Sequence, residues 1–236
     1  PVHFAPEEVG LGRREPIADV ANVMSRMSDI AVIRTFEQSI IEEFAAAASI
    51  PVINALTDFE HPCQALADTQ TIMEQLGGVS GAKVAYIGDG NNVAVSLGYA
   101  VAGLGGHLTV ASPAGYTLPG ESLEGANTYG ASAGGTVTQV TSPEEAVAGA
   151  DIVYTDVWTS MGQETETAKR LVDFDGYQVS PGLLDQAGTN VKFMHDLPAH
   201  PSEEISDGLL YDSRSVVFDQ AENRLWAQAA LMEKLI

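Results

Sequence analysis

Four short segments of this chain hold residues that can do chemistry, and three of them follow apolar, strand-like runs. They are Arg34-Thr35-Phe36, His61-Pro62-Cys63-Gln64, Asp156-Val157-Trp158-Thr159-Ser160-Met161-Gly162 and His195-Asp196-Leu197-Pro198. A fifth, Val84–Asn92, is a strand ending in a Gly-rich turn before a helix. Open α/β sheets place ligands at the carboxyl ends of parallel strands. Arg34, His61 and Asn92 supply donors for an anion such as phosphate, and Asp156 and Asp196 supply carboxylates for a cation. The set suggests a two-substrate site that joins an anionic group to an amine.

Other chemistries fit less well. One Cys and one His around Pro62 make two metal ligands, where a zinc site needs three or four, so no metal is expected. Cys63 with His195 would be a nucleophile–base pair, but no local signature accompanies it. A dinucleotide site would want a third glycine after Gly88 and Gly90, and Val93 stands there. The next strand ends in Ala111-Ser112-Pro113, with no acid to hold a ribose hydroxyl. Nicotinamide chemistry is therefore disfavoured, and no organic cofactor is expected.

The elements that must position these residues alternate almost throughout. Strands are predicted at Ile30–Thr35, Pro51–Asn54, Lys83–Gly88, His107–Ala111, Thr136–Val140, Asp151–Thr155, Val191–Met194 and Ser215–Phe218. Helices are predicted at Ile17–Met27, Gln38–Ala48, Cys63–Leu76, Val93–Leu104, Glu121–Tyr129, Pro143–Ala148, Thr165–Leu171 and Ala221–Leu235. Such alternation reads as βαβ units over parallel sheets buried on both faces. Pro62 suits the first turn of its helix, because its missing N–H costs nothing there. Gly77–Gly81 is the natural junction between two units. The chain opens on a strand-like apolar fragment and carries only two strands before that junction, as though it began partway into its first domain.

Length and charge narrow the partners. The 236 residues hold 11 Lys+Arg against 32 Asp+Glu, a net charge of −21, and are 45% apolar. Nucleic acids and anionic membranes need a cationic footprint, so neither is an expected partner. The apolar content argues against disorder, and no run approaches the ~18 residues of a membrane span. One cysteine excludes an internal disulfide. A cytoplasmic protein is expected. With four lysines only, the acidity reads as a surface adapted to high salt, since such self-repulsion is screened within about 3 Å at ~1 M ions.

The ordered motifs resemble those of the aspartate/ornithine carbamoyltransferase family, and of its ornithine branch in particular. The resemblance rests on His61-Pro62-Cys63-Gln64, Asp156 through Ser160-Met161-Gly162, His195-Asp196-Leu197-Pro198, Asn223-Arg224-Leu225 and Leu11-Gly12-Arg13. It implies two doubly wound parallel-sheet domains with the site between them, in a homotrimer or multiple of trimers. It implies carbamoyl transfer from carbamoyl phosphate to the δ-amine of L-ornithine, giving citrulline and phosphate. Carbamoyl phosphate would be held by Arg34, His61, Pro62, Cys63, Gln64, Leu197 and Arg224, with Arg34 and His61 stabilising the oxyanion. Ornithine would be held by Asn92, Asp156, Ser160, Met161, Asp196 and Leu197. Residues 1–60 with the helix 219–236 would bind the first substrate, 61–78 would connect, and 79–218 would bind the second.

The chain departs from the family pattern at several positions. The family's Ser-Thr-Arg-Thr-Arg phosphate loop is expected upstream of Pro1, so the chain as given is expected to bind carbamoyl phosphate poorly and to be inactive alone. Gly10, Arg14 and Trp226 replace a Gln, a Gly and a His. Asp196 takes the family's Cys position, where it would sit beside the δ-ammonium or reflect drift in an acidic lineage. A non-catalytic paralogue and a transferase for another amine such as putrescine are the alternatives.

Overall fold

The computed structural model describes residues 1–160 and 162–236, apart from the side chains of Pro6 and Glu7. Its strands are β1 (Ala31–Arg34), β2 (Val52–Leu56), β3 (Lys83–Ile87), β4 (His107–Ala111), β5 (Thr136–Val140), β6 (Ile152–Thr155) and β7 (Lys192–His195). The helices are α1 (Pro6–Val9), α2 (Ile17–Met24), α3 (Gln38–Ala47), α4 (Pro62–Leu76), α5 (Asn92–Gly103), α6 (Gly120–Gly130), α7 (Pro143–Val147), α8 (Thr167–Asp173), α9 (Pro181–Leu184) and α10 (Val217–Leu235). β1 and β2 form a two-stranded parallel sheet, and the other strands a five-stranded sheet in the order β5-β4-β3-β6-β7. Every pairing in both sheets is parallel. The order reverses beside β3, so a crevice opens at the carboxyl ends of β3 and β6.

Alternation along the large sheet divides its core in two. Val84, Tyr86, Leu108, Tyr154 and Met194 face one layer with Leu97 and Val101 of α5. Ala85, Ile87, Val153 and Phe193 face the other with Val147 of α7 and Leu184 of α9. Period-two side chains that are apolar on both faces are what a doubly covered sheet demands. The small sheet has its own cluster, Ile17, Ala21, Ala31 and Phe44. Between the units, Gly77 ends α4 with φ 81° and its N–H on the Met73 carbonyl, a left-handed cap that glycine adopts without strain.

Three expectations fail. Ser215–Phe218 is not a strand: Ser215 makes one isolated bridge with Phe193, and the chain enters α10 at Val217. Burial of Val217 against the sheet outweighs the β-propensity of that apolar run. The opening residues form no strand, and α1 is a single helical turn. The predicted helix Thr165–Leu171 begins instead with a 3-10 turn, Glu164–Glu166, and α8 runs on to Asp173.

The β3–α5 turn fits only glycine at its centre. A Cβ on Gly90 would lie 2.3 Å from the Leu118 nitrogen and 2.5 Å from the Thr117 carbonyl carbon. The backbone is drawn that close because the Gly90 N–H donates to the Tyr116 carbonyl. Gly90→Ala is accordingly expected to lower stability by about 2 kcal/mol, read from urea unfolding midpoints. A loss below about 0.5 kcal/mol, the range of ordinary surface changes, would show that the turn relaxes freely.

Candidate functional site

The carboxyl ends of β1, β3, β6 and β7, the N-cap of α4 and the first turn of α5 surround a cleft of about 860 Å³. Arg34, His61, Asn92, Asp156, Ser160, Asp196, Leu197 and Arg224 all line it. Residues 190 positions apart in sequence, such as Arg34 and Arg224, meet there because parallel strands end on one edge of a sheet.

One side of the cleft is basic. Neither Arg34 nor Arg224 has a salt bridge among the described residues. Arg224 donates from Nη1 to Gln64 Oε1, while its buried Nε has no partner. His61 sits at the N-cap of α4, buried, with its backbone N–H on Ser96 Oγ and its ring Nδ1 unpartnered. Burial, reinforced by Arg224 and Arg34 and opposed by Asp196, lowers its pKa to about 4. The imidazole is neutral at physiological pH, so it adds a hydrogen-bonding group without a further charge to desolvate.

The other side is acidic and tightly wired. Asp156 Oδ2 accepts from Asn91 Nδ2 at 2.7 Å and its Oδ1 from the Val157 N–H at 2.6 Å. Burial, then the charge of Asp196, raises the Asp156 pKa well above the usual carboxylate range, against a smaller pull from His195. Asp196 Oδ1 lies 3.4 Å from His195 Nδ1 and is buried without a hydrogen bond. His195 is fully buried, with Nε2 3.2 Å from Glu204 Oε1. Burial disfavours its charged form, but Asp196 and Glu204 override this and lift the pKa to about 9. The Leu197 N–H, which donates to Nδ1 at 2.9 Å, opposes a second ring proton. With Nδ1 accepting from that N–H, the ring proton sits on Nε2 toward Glu204, and charging His195 requires the Leu197 contact to open.

Not every expected residue reaches the cleft. Pro62 and Cys63 turn with the helix into a second groove, lined also by Tyr99, Leu231 and Leu235. The Cys63 thiol donates to the Asn54 carbonyl, and burial pushes its pKa up, so no Cys63–His195 pair exists. Gln64 is buried behind Arg224 rather than lining the cleft. Asn92 lines it, but its amide donates to the Thr57 carbonyl at 2.7 Å and ties the two sheets together. Met161 lies outside the described residues.

Some contributors escaped the sequence reading. Asn91, rather than Asn92, organises the helix start: its Oδ1 accepts from the N–H groups of Val93 and Ala94, and its Nδ2 holds Asp156. Asp89 and Arg170 form a buried ion pair at 2.5 Å, and Arg170 also donates to the Trp158 carbonyl, which fixes the loop leading to Ser160. The signal for Asn91 was its place before an apolar-periodic helix; a partner 81 residues from Asp89 left none. Asp156, His195 and Asp196 have the spacing to hold a metal ion, as do His200, Glu203 and Glu204. Both ring nitrogens of His195 already have neighbours, Leu197 and Glu204, so the first set offers two free ligands.

Arg170→Met would strand Asp89 as a buried, unpaired carboxylate and is expected to cost about 3 kcal/mol, read from denaturant unfolding. For His61, the folded pKa of about 4 lies below the unfolded 6.5. The unfolded chain therefore binds more protons in that window, and stability falls as pH drops through it. Between pH 7 and 5 this group should account for roughly 2 kcal/mol, a loss that His61→Gln abolishes. Equal acid sensitivity in both proteins would show that His61 protonates freely.

Comparison with known proteins places this geometry. Residues 1–74 match the family model of the aspartate/ornithine carbamoyltransferase carbamoyl-P binding domain, and residues 80–235 that of its Asp/Orn binding domain. The chain is 53% identical over 235 residues to ornithine carbamoyltransferase 1, anabolic, of Pseudomonas savastanoi pv. phaseolicola, covering 100% of this chain and 74% of that protein. It is 49% identical to the ornithine carbamoyltransferase of Bacillus subtilis, with 99% and 73% covered. The ornithine carbamoyltransferase structure from Pyrococcus furiosus superposes with a TM-score of 0.93 at 46% identity, covering 98% of this chain and 73% of that one. These matches, spanning both halves of the cleft, show that the chain belongs to the aspartate/ornithine carbamoyltransferase family.

Proposed function

We propose that this cleft carries out carbamoyl transfer from carbamoyl phosphate to the δ-amine of L-ornithine, releasing L-citrulline and phosphate. The observation that carries the reading is the polarity of the cleft, with buried, unpartnered atoms at both ends. Arg224 Nε awaits an acceptor, His61 Nδ1 has a free hydrogen-bonding position, and Asp196 Oδ1 awaits a donor. An anion and an ammonium are the complementary pair.

Residues 1–60 with the helix 219–236 hold the carbamoyl phosphate, 61–78 connect, and 79–218 hold ornithine. Arg34, His61 and Arg224 take the phosphate and the carbonyl oxygen, with Gln64 steering Arg224 and the Leu197 backbone beside the carbamoyl group. Donors already fixed around a developing oxyanion lower the barrier without reorganising. Asn92 takes the ornithine α-carboxylate after releasing Thr57, Asp156 with Ser160 takes the α-ammonium, and Met161 adds backbone contact. Asp196 receives the δ-ammonium. That amine loses one proton to solvent, its nitrogen attacks the carbonyl carbon, and the bond to the phosphate oxygen breaks as the nitrogen's second proton passes to the departing phosphate. Carbamoyl phosphate is already activated, so the chemistry asks for no metal or organic cofactor. Free ornithine is preferred over putrescine, which has no carboxylate for Asn92, and over N-acetylornithine, which has no α-ammonium for Asp156. A homotrimer or multiple of trimers, a cytoplasmic site of action, a role in arginine metabolism and adaptation to high salt complete the proposal. The charge of −21 supports the last of these.

The test is citrulline formation by the full-length protein with ornithine, putrescine or N-acetylornithine at low and multimolar salt. Ornithine should win, with activity rising as salt is added. No citrulline from any amine at any salt would sink the reading. Asp196→Ala should raise the ornithine KM about tenfold, the loss of one charge-assisted hydrogen bond. Unchanged KM and kcat would remove Asp196 from the site.

A further inference from the structure

The seam between α4 and α10 is polar, although both helices bury it. Along α4 the residues facing the seam are Gln64, Asp68 and Thr71, at helical spacing, and along α10 they are Gln220, Asn223 and Arg224. Asp68 is at the centre with no solvent exposure. Its Oδ1 accepts from two amides, Gln64 Nε2 at 2.8 Å and Gln220 Nε2 at 2.7 Å. Its Oδ2 faces the Tyr154 hydroxyl at 3.3 Å. An amide whose nitrogen end is committed has its oxygen end fixed as well. The Gln64 oxygen therefore turns to Arg224 Nη1, and the Gln220 oxygen to the backbone N–H of His195, 2.9 Å away.

We propose that Asp68 is a positioning residue for both halves of the site, because its single oxygen Oδ1 orients the Gln64 amide that aims Arg224 and the Gln220 amide that holds His195–Asp196. The inference rests on the carbamoyltransferase reading and adds two residues, Asp68 and Gln220, that touch no substrate. Without the carboxylate each amide is free to flip, and a flipped Gln64 presents an NH2 to a guanidinium while a flipped Gln220 presents one to an N–H. Both are donor–donor contacts. Burial pushes the Asp68 pKa up to about 7, so both protonation states occur near neutrality. Either state serves, since a proton on Oδ2 faces a hydroxyl that accepts as well as donates and leaves Oδ1 an acceptor.

The experiment compares Asp68→Leu, Asp68→Asn and Gln220→Met in the full-length protein. Asp68→Leu keeps the volume and removes the acceptor. Its KM for carbamoyl phosphate and for ornithine should rise together, with kcat/KM falling about 10- to 100-fold, as when a residue that orients a ligand-binding group is lost. Asp68→Asn keeps an oxygen for both amides and should rescue both KM values to within about threefold. Gln220→Met should raise the ornithine KM and leave that for carbamoyl phosphate alone. Lowered thermal stability with both KM values intact in Asp68→Leu would overturn the proposal. So would an Asn variant whose two KM values lie well beyond about threefold from wild type, or a Gln220→Met unchanged for ornithine; if Asp68→Leu fails to fold, these two outcomes decide. A second readout does not depend on turnover. The side-chain NH2 signals of Gln64 and Gln220 should be protected from exchange in the wild type and in Asp68→Asn, and exposed in Asp68→Leu. Wild-type protein that makes no citrulline refutes the carbamoyl-transfer reading, whereas unprotected amides in the wild type refute the role of Asp68.

Discussion

A carboxyl group removed from water has to be surrounded by donors, and the architecture around Asp68 meets that demand. Two glutamines and a tyrosine, from α4, α10 and β6, converge on it. Each of those donors has a second end, and each second end reaches the functional cleft. Gln64 leads to Arg224, and Gln220 to the end of β7. Tyr154 stacks on Tyr86 at 5.6 Å between ring centres, and Tyr86 donates to Asn91. Satisfying one buried acid thus draws three elements into register. The same seam continues through Asn223, which bonds Thr71 and Glu74. An apolar seam of equal area would hold α10 on α4 but would tolerate sliding; hydrogen-bonded ends do not.

The electrostatics of the cleft follow from what is left unpaired. Two of the four Lys and Arg side chains lining it are already neutralised: Arg170 by Asp89 and Glu166, Lys169 by Asp173. Arg34 and Arg224 are the cleft cations with no acidic partner among the described residues. In a chain of net charge −21 that arrangement concentrates positive potential at one place. Opposite it, the charge of Asp196 adds to burial in raising the pKa of Asp156. The family assignment and the polarity of the cleft therefore support the same pair of substrates by independent routes.

Asp196 lies between the buried His195 and the turn at Leu197, whose φ is +58°. His195 is clamped on both ring nitrogens, so the neighbouring Asp196 has little freedom to move away. A charge placed there acts on Asp156, His195, His61 and Asp68 alike.

How much was legible beforehand depended on range. Strands β4 and β5 coincide with the predicted runs, and the other five strands differ by a residue or two at their ends, because alternation of apolar β-branched residues with helical stretches is a local signal. His61, Asn92, Asp156 and Asp196 were identifiable because each follows a strand or opens a helix, and motifs in order along the chain pointed to the family. The start of α10 was misjudged because Val216-Val217-Phe218 has the composition of a strand and its helix is fixed by contacts with β7. Gln64 was known as a residue but not as a buried one. Asp68, Gln220 and the Asp89–Arg170 pair carried no signal, since each acquires its meaning from a partner on another element. Sequence by itself determined the residue types and the elements, through periodicities of two and 3.6 that any short window contains. Tertiary structure decided which polar groups are buried and which oxygen faces which donor, because hydrogen bonds across 150 residues are set by packing.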